Sequence, residues 1–175
     1  MASEEMKGGM INAILGYCNS YEDAKRYRTD CVLLENGKLI ATDGDAICIV
    51  EKSWLGVKDN MKGLFNLQQQ KFYKNKSYYL RFYETHIQIA EDSLREVSQD
   101  GDIFPDWEAA IKTRKTKAHT ASFPAKEIKR LYDLAEACGA KSITLTPKGD
   151  DPMKVKIDGG TADATVYVCP LEMLI

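Results

Sequence analysis

Histidine is nearly absent: His86 and His119 are the only two, and neither stands at a suggestive spacing from a serine, cysteine or carboxylate. Imidazole is the commonest general base near neutral pH, so its scarcity removes the simplest acid–base and nucleophilic machinery. The chain also has no CxxC or HxxxH pair and no glycine-rich phosphate loop, which leaves out the usual zinc and nucleotide motifs. Five cysteines, Cys18, Cys31, Cys48, Cys138 and Cys169, are scattered and odd in number. They read as reduced, buried thiols of a cytoplasmic protein. No apolar run approaches the ~20 residues of a membrane span, and the acidic start Met1-Ala-Ser-Glu-Glu-Met-Lys lacks the apolar centre of an export signal. A surplus of charge is missing too: 24 basic against 26 acidic residues give a net charge of −2. That excludes binding nucleic acid by bulk charge but leaves room for a local basic face. Asp43-Gly44-Asp45 is an acidic pair without a third ligand nearby, and hairpin turns favour these residues for backbone reasons. The expectation is a non-catalytic protein with no cofactor and no metal.

What the chain does contain is strand patterning. With 175 residues, 44% of them hydrophobic, it is long enough to bury a sizeable core. Apolar runs at 31–34, 39–41 and 46–50 are separated by Asn36-Gly37 and by Asp43-Gly44-Asp45, which predicts a three-stranded antiparallel meander. Ahead of it, Met10, Ile11, Ile14, Leu15 and Cys18 fall on one helical stripe, predicting a helix from Met10 to about Lys25 behind a loose lead-in over 1–9. Residues 51–61 read as a connector and 62–67 as a strand, and 68–76 are too polar for more than about two helical turns. A second meander is expected over 77–84, 86–90 and 94–98.

Gly101–Glu108 breaks this pattern, 112–117 is a charged linker, and a strand is expected at 118–122. A helix follows over 123–138, capped by Ser122, with Pro124 in its first turn, Gly139 past its end and an apolar stripe of Ile128, Leu131, Leu134, Ala135 and Cys138. Alternating strands close the chain: Ile143 and Leu145, then Met153, Val155 and Ile157, then Ala164, Val166 and Val168. A helix-then-three-strands unit thus recurs, at 10–58 and 118–175, with a helix-poor version at 60–112. The expected architecture is α+β, one domain over 10–175 with two helices on antiparallel sheets.

Three segments carry a resemblance to a known family. Ala41-Thr-Asp-Gly44 resembles the ATDGHRLA turn of bacterial DNA sliding clamps, the β subunits of the replicative polymerase; Asp100-Gly-Asp-Ile-Phe-Pro-Asp-Trp107 resembles their DGxFPDY segment; and Tyr167-Val-Cys-Pro-Leu171 resembles their carboxy-terminal YVVMPM. Asp45-Ala46 stands where the family has His-Arg, and Trp107 replaces the tyrosine. The resemblance implies a processivity fold and a factor of DNA replication or repair that binds duplex DNA without sequence specificity and closes rings by self-association. It implies a groove for client peptides, such as those of a DNA polymerase, at Thr42, Gly44, Ile47, Val168, Cys169, Pro170 and Leu171. It also implies DNA-facing basic residues at Lys126, Lys129 and Arg130 on the last helix, and at Lys25 and Arg28 beyond the first.

Two other readings stand beside this one. The chain can be a monomeric module of the same fold that uses its groove for a protein partner. It can also bind single-stranded nucleic acid through Phe72, Tyr73, Tyr78, Tyr79, Phe82 and Tyr83 with Lys71, Lys74 and Lys76 interleaved, although such alternation more often buries one set of rings.

Overall fold

The computed structural model describes residues 3–20, 27–51, 62–82, 86–90, 95–98, 103–111, 123–148, 151–160 and 162–169. The expected connector at 52–61, linker at 112–117, strand at 118–122 and cap at Ser122 lie outside them, as do Lys25, Pro170 and Leu171.

The chain enters as strand β1, Ser3–Lys7, where a loose lead-in was expected. It turns at once into helix α1, Gly8–Leu15. This sharp entry needs glycine: a Cβ on Gly8 would stand 2.2 Å from the Tyr73 carbonyl oxygen. Gly8 and Gly9 instead donate their N–H groups to the carbonyls of Lys76 and Lys74. The helix ends at Leu15 and not near Lys25. Gly16 caps it, and Asn19 is drawn away by bonding through its N–H to the Thr29 carbonyl and through its amide side chain to Thr29 Oγ1 and the Asp43 carbonyl.

The meander follows as expected, in β2 (Val32–Glu35), β3 (Lys38–Thr42) and β4 (Ala46–Glu51). Asn36 and Gly37 both take positive φ, 50° and 72°, the pair that a two-residue primed turn requires. After β5 (Lys62–Phe65) comes a single 3-10 turn, Leu67–Gln69, and then β6 (Ser77–Phe82), β7 (His86–Ala90) and β8 (Arg95–Ser98). A short helix α2, Trp107–Ile111, was not foreseen. Helix α3 is Ala125–Cys138, and it ends on Gly139 in the left-handed conformation. Strands β9 (Ile143–Lys148), β10 (Asp151–Ile157) and β11 (Asp163–Val168) complete the order.

These strands make two antiparallel sheets, β1-β6-β7-β8 and β5-β2-β3-β4-β11-β10-β9. The pairing shows how the repeat is assembled. Unit one (β1–α1–β2–β3–β4) and unit two (β5 to β8) exchange their leading strands: β1 pairs with β6, and β5 with β2. In unit two the 3-10 turn stands in the place of the helix. Unit three (α3–β9–β10–β11) joins unit one edge to edge through β4 and β11, with Ala46 opposite Val168 and Glu51 opposite Asp163.

The main core lies between the two sheets and under the two helices, from Met10, Ile11 and Ile14 to Leu131, Leu134 and Cys138 over Val32, Leu34, Val155 and Val166. One position of the expected α3 stripe is exchanged: Ile128 is exposed and Glu127 is buried in its stead. The opposite face of the seven-stranded sheet holds a smaller cluster of Leu33, Ile40, Ile47, Ile49 and Leu64, covered by Trp107 with Phe104 and Ile111. Trp107 donates its indole N–H to Glu35 Oε2 at 3.1 Å, and Lys62 meets the other oxygen of that carboxylate at 2.6 Å.

Candidate functional site

The junction of units one and three brings the β3–β4 turn, the start of α3 and the end of β11 together. The turn organises itself first. Thr42 Oγ1 accepts from the Gly44 N–H and donates to the Ala46 carbonyl, Asp43 Oδ1 accepts from the N–H groups of Asp45 and Ala46, and Gly44 has φ 96°. These bonds leave Asp43 Oδ2 pointing outward. Arg130 of α3 donates to it at 2.6 Å and to Glu127 Oε1 at 2.9 Å. Lys126, one turn earlier, reaches Asp45 Oδ2 at 2.8 Å. The Arg130 guanidinium also lies 5.4 Å from the centre of the fully buried Tyr17 ring. On the other side of the turn, Cys169 donates its N–H to the Asp45 carbonyl at 2.9 Å.

This cluster is internally charged and mostly buried, and its ionisations follow. Burial raises the Glu127 carboxyl above its usual range although Arg130 and Lys126 oppose the shift, and Oε2 has no hydrogen-bond partner among the described residues. Burial also lifts the Tyr17 phenol far out of the titrating range and pushes up the Cys169 thiol. For Arg130, burial would lower the pKa, but its bond to Asp43 more than offsets this and the guanidinium stays charged.

Of the expected groove, the structure does bring the turn and the last strand side by side. The side chains differ in where they face. Thr42 is buried within the turn, and Val168 points into the main core, whereas Ile47 belongs to the opposite face beneath Trp107. Gly44 is exposed and Cys169 half-buried. The described groove residues therefore border the junction from two faces and do not line one cavity.

Each described member of the expected DNA-facing set already has a carboxylate partner. Arg28 grips Asp30 with two bonds of 2.9 and 3.0 Å, Arg130 holds Asp43 and Glu127, Lys126 holds Asp45, and Lys129 pairs with Asp133. Arg28 and Arg130 are mostly buried and act as struts; Lys126 and Lys129 keep open sides to solvent. The sequence reading missed that the lysine-rich loop over 71–76 belongs to this same face. Asn12 of α1 donates to the Phe72 carbonyl, and Lys74 reaches Glu136 of α3 at 2.9 Å. The available signal was three lysines within six residues.

The aromatic set divides. Phe72 and Tyr78 are buried edge to face with their centres 5.0 Å apart, and the Tyr78 oxygen accepts the Tyr73 N–H. Tyr73 and Tyr79 are exposed, and Lys71 and Lys76 stand 5.3 and 5.6 Å from the Tyr73 ring centre. Among the described residues there is no metal-ligating cluster and no helix long and apolar enough to cross a membrane.

No protein-family model matches the chain, and no curated protein does. Solved structures match throughout its length. The chain is similar to the DNA polymerase III β subunit of Borrelia burgdorferi, with 8% identity over 99% of this chain and 65% of that one, at a TM-score of 0.62. It is similar to the β subunit of Thermotoga maritima, with 12% identity over 99% of this chain and 66% of that one, at 0.62. The polymerase sliding clamp of Pseudomonas aeruginosa matches at 12% identity over 98% and 67%, at 0.60. The first of these is spanned over 65% of its length, short of two thirds. The fold is the α+β, antiparallel-sheet fold of the sliding clamps, as the three sequence segments led one to expect.

Proposed function

We propose that the chain is a clamp-like accessory protein of DNA replication or repair, cytoplasmic and without catalysis of its own, that associates with duplex DNA irrespective of sequence and with itself through free sheet edges. The observation that carries this reading is the fold likeness over 99% of the chain, joined to a helix face that keeps solvent-facing lysines. Phosphates are met by Lys126 and Lys129 on α3 and by Lys71, Lys74 and Lys76 on the neighbouring loop. Arg28 and Arg130 hold the protein together beneath them. The junction where the β3–β4 turn at Gly44 meets the end of β11 at Cys169 receives a short apolar client segment of a polymerase or another partner. Anchoring by one or two buried side chains is the usual energetics of such grooves.

Duplex binding measured by fluorescence anisotropy across a salt series tests the DNA reading. Affinity is expected to fall linearly with log salt, and Lys126→Glu with Lys129→Glu to weaken it uniformly across sequences and lessen the slope by about 1 per lost phosphate contact. Absence of binding at low salt, or a slope the double variant leaves untouched, would overturn it. Exposure of Tyr73 between two lysines favours a second reading, stacking on single strands. Stronger binding of single strands than of duplex, lost in Tyr73→Ala, would put that reading first.

A further inference from the structure

Lys38, Lys62, Lys74, Lys126 and Lys129 each meet a carboxylate, Glu51, Glu35, Glu136, Asp45 and Asp133 in turn. Lys154 and Lys156 of β10 differ: among the described residues no carboxylate lies within ion-pair reach of either. They stand two residues apart on one strand, hence on one face of the sheet and about 6 to 7 Å from each other along it. That face is the outer one, away from the helices. The Lys154 ammonium lies 5.7 Å from the centre of the Tyr167 ring, and Tyr167 packs against the outer cluster that Trp107 covers.

The register fills in the rest of this face. Lys154 stands opposite Thr146 of β9 and Tyr167 of β11, and Lys156 stands opposite Thr144 and Thr165. Directly opposed residues share a face, so two rows form, each a lysine flanked on both sides by a hydroxyl. Thr144, Thr146 and Lys156 are exposed, and Lys154, Thr165 and Tyr167 are half-buried. The rows have clear limits. Beyond Tyr167 and Thr165 come Ile47 and Ile49, which belong to the cluster that Trp107 covers, and the next row along β11 is acidic, Asp163 opposite Glu51. What remains is a small cationic platform rich in hydroxyl donors.

We infer that this platform binds the phosphodiester backbone of a single nucleic-acid strand, laid along β10 with successive phosphates at Lys154 and Lys156 and with the flanking threonine hydroxyls donating to their oxygens. Lysine ammoniums and hydroxyls are the groups that hold phosphate oxygens without reading bases. Carboxylates of an acidic segment would favour the arginine fork, and no arginine stands in either row. The two charges make one short line, which suits one backbone; a duplex would bring further phosphates over Asp163, Glu51 and the apolar cluster. Lys154, braced over the Tyr167 ring, has less freedom to lose on binding than a lysine in open water. Helix α3, with Lys126 and Lys129, packs on the core side of the same sheet, and the Tyr73 loop is tied to α1 and α3. The platform is therefore a nucleic-acid surface beyond both of those discussed above.

Fluorescence anisotropy of a labelled oligothymidylate with the full chain is expected to show weak, salt-dependent binding, with a log–log slope of about −1.4 for two phosphates of a single strand. Lys154→Gln with Lys156→Gln alters the outer face alone, so melting should hold while affinity falls on the order of tenfold and the slope flattens. In NMR titrations the amides of Thr144, Lys156 and Thr165 should shift most. Those shifts should persist in Lys126→Glu with Lys129→Glu and in Tyr73→Ala, which separates this surface from the helix face and from the Tyr73 loop. Absence of binding at low salt, or binding that the double glutamine variant leaves unchanged, would overturn the assignment. Tighter binding of oligoglutamate than of oligothymidylate would overturn it too, in favour of an acidic polypeptide. Duplex binding through α3 stands or falls separately, on its own variants.

Discussion

Arg130 meets three demands at once: it neutralises the outward oxygen of Asp43, accompanies the buried Glu127 and covers the face of Tyr17. Removing one member of a buried charged set costs more than the set contributes, because the partners are left desolvated and alone. Arg130→Ala is therefore expected to lower the unfolding free energy by about 3 kcal/mol, read from urea melts. Two of the buried carboxylates, Asp30 and Glu127, respond oppositely to acid. Asp30 is held below its ordinary 3.8: burial works against it, but the Arg28 bonds outweigh burial. Its stabilising contribution is complete above that value and is lost as pH falls through the lower folded pKa. Glu127, raised by burial, is the reverse case: its charged form is less favourable in the folded chain, so stability recovers as pH falls from above its folded pKa towards 4.5. Stability curves of Glu127→Gln between pH 7 and 4.5 should be flatter than those of the parent; an unchanged slope would show that other groups set it.

Among the elements, α3 and α2 show what sequence patterning reveals and what it hides. The bounds of α3 were legible because Pro124 and Gly139 are local signals: a fixed φ at one end, and at the other φ 65°, which only glycine adopts without strain. A Cβ at Gly139 would meet nothing within 4 Å, so Gly139→Ala should cost about 1 kcal/mol from conformation alone, again by urea melts. Which face of α3 is buried was not fully legible. The swap of Ile128 for Glu127 depends on Asp43 and Arg130, held close only by the completed sheet. Likewise α2 is too short for a periodic signal, and its Trp107 is placed by Glu35 and the outer sheet face, 72 positions away in the chain. Trp107→Ala should cost about 3 to 5 kcal/mol by opening that cluster, and Trp107→Phe much less; equal losses would show that the indole bond to Glu35 outweighs the packing.

For the whole molecule, turn chemistry and strand alternation gave away the three meanders, whereas nothing local told which of them are neighbours. The reciprocal pairing of β1 with β6 and β5 with β2 depends on residues about 30 to 80 positions apart. The register of β4 against β11, which sets Ala46 and not Ile47 opposite Val168, is why the expected groove residues divided between two faces of the sheet. Amide exchange should follow the resulting order, slowest in β3, β4 and β11 at the middle of the large sheet and fastest in β8 and β1, the margins of the small one. The union of β4 with β11 has a consequence for biosynthesis. Residues 46–51 leave the ribosome more than a hundred positions before 163–168, which at about 5–20 residues per second is on the order of ten seconds. Throughout that interval a ribbon carrying Ile47, Ile49 and Val50 has one side bare, so the nascent polypeptide passes through a sticky stage that the mature molecule never shows.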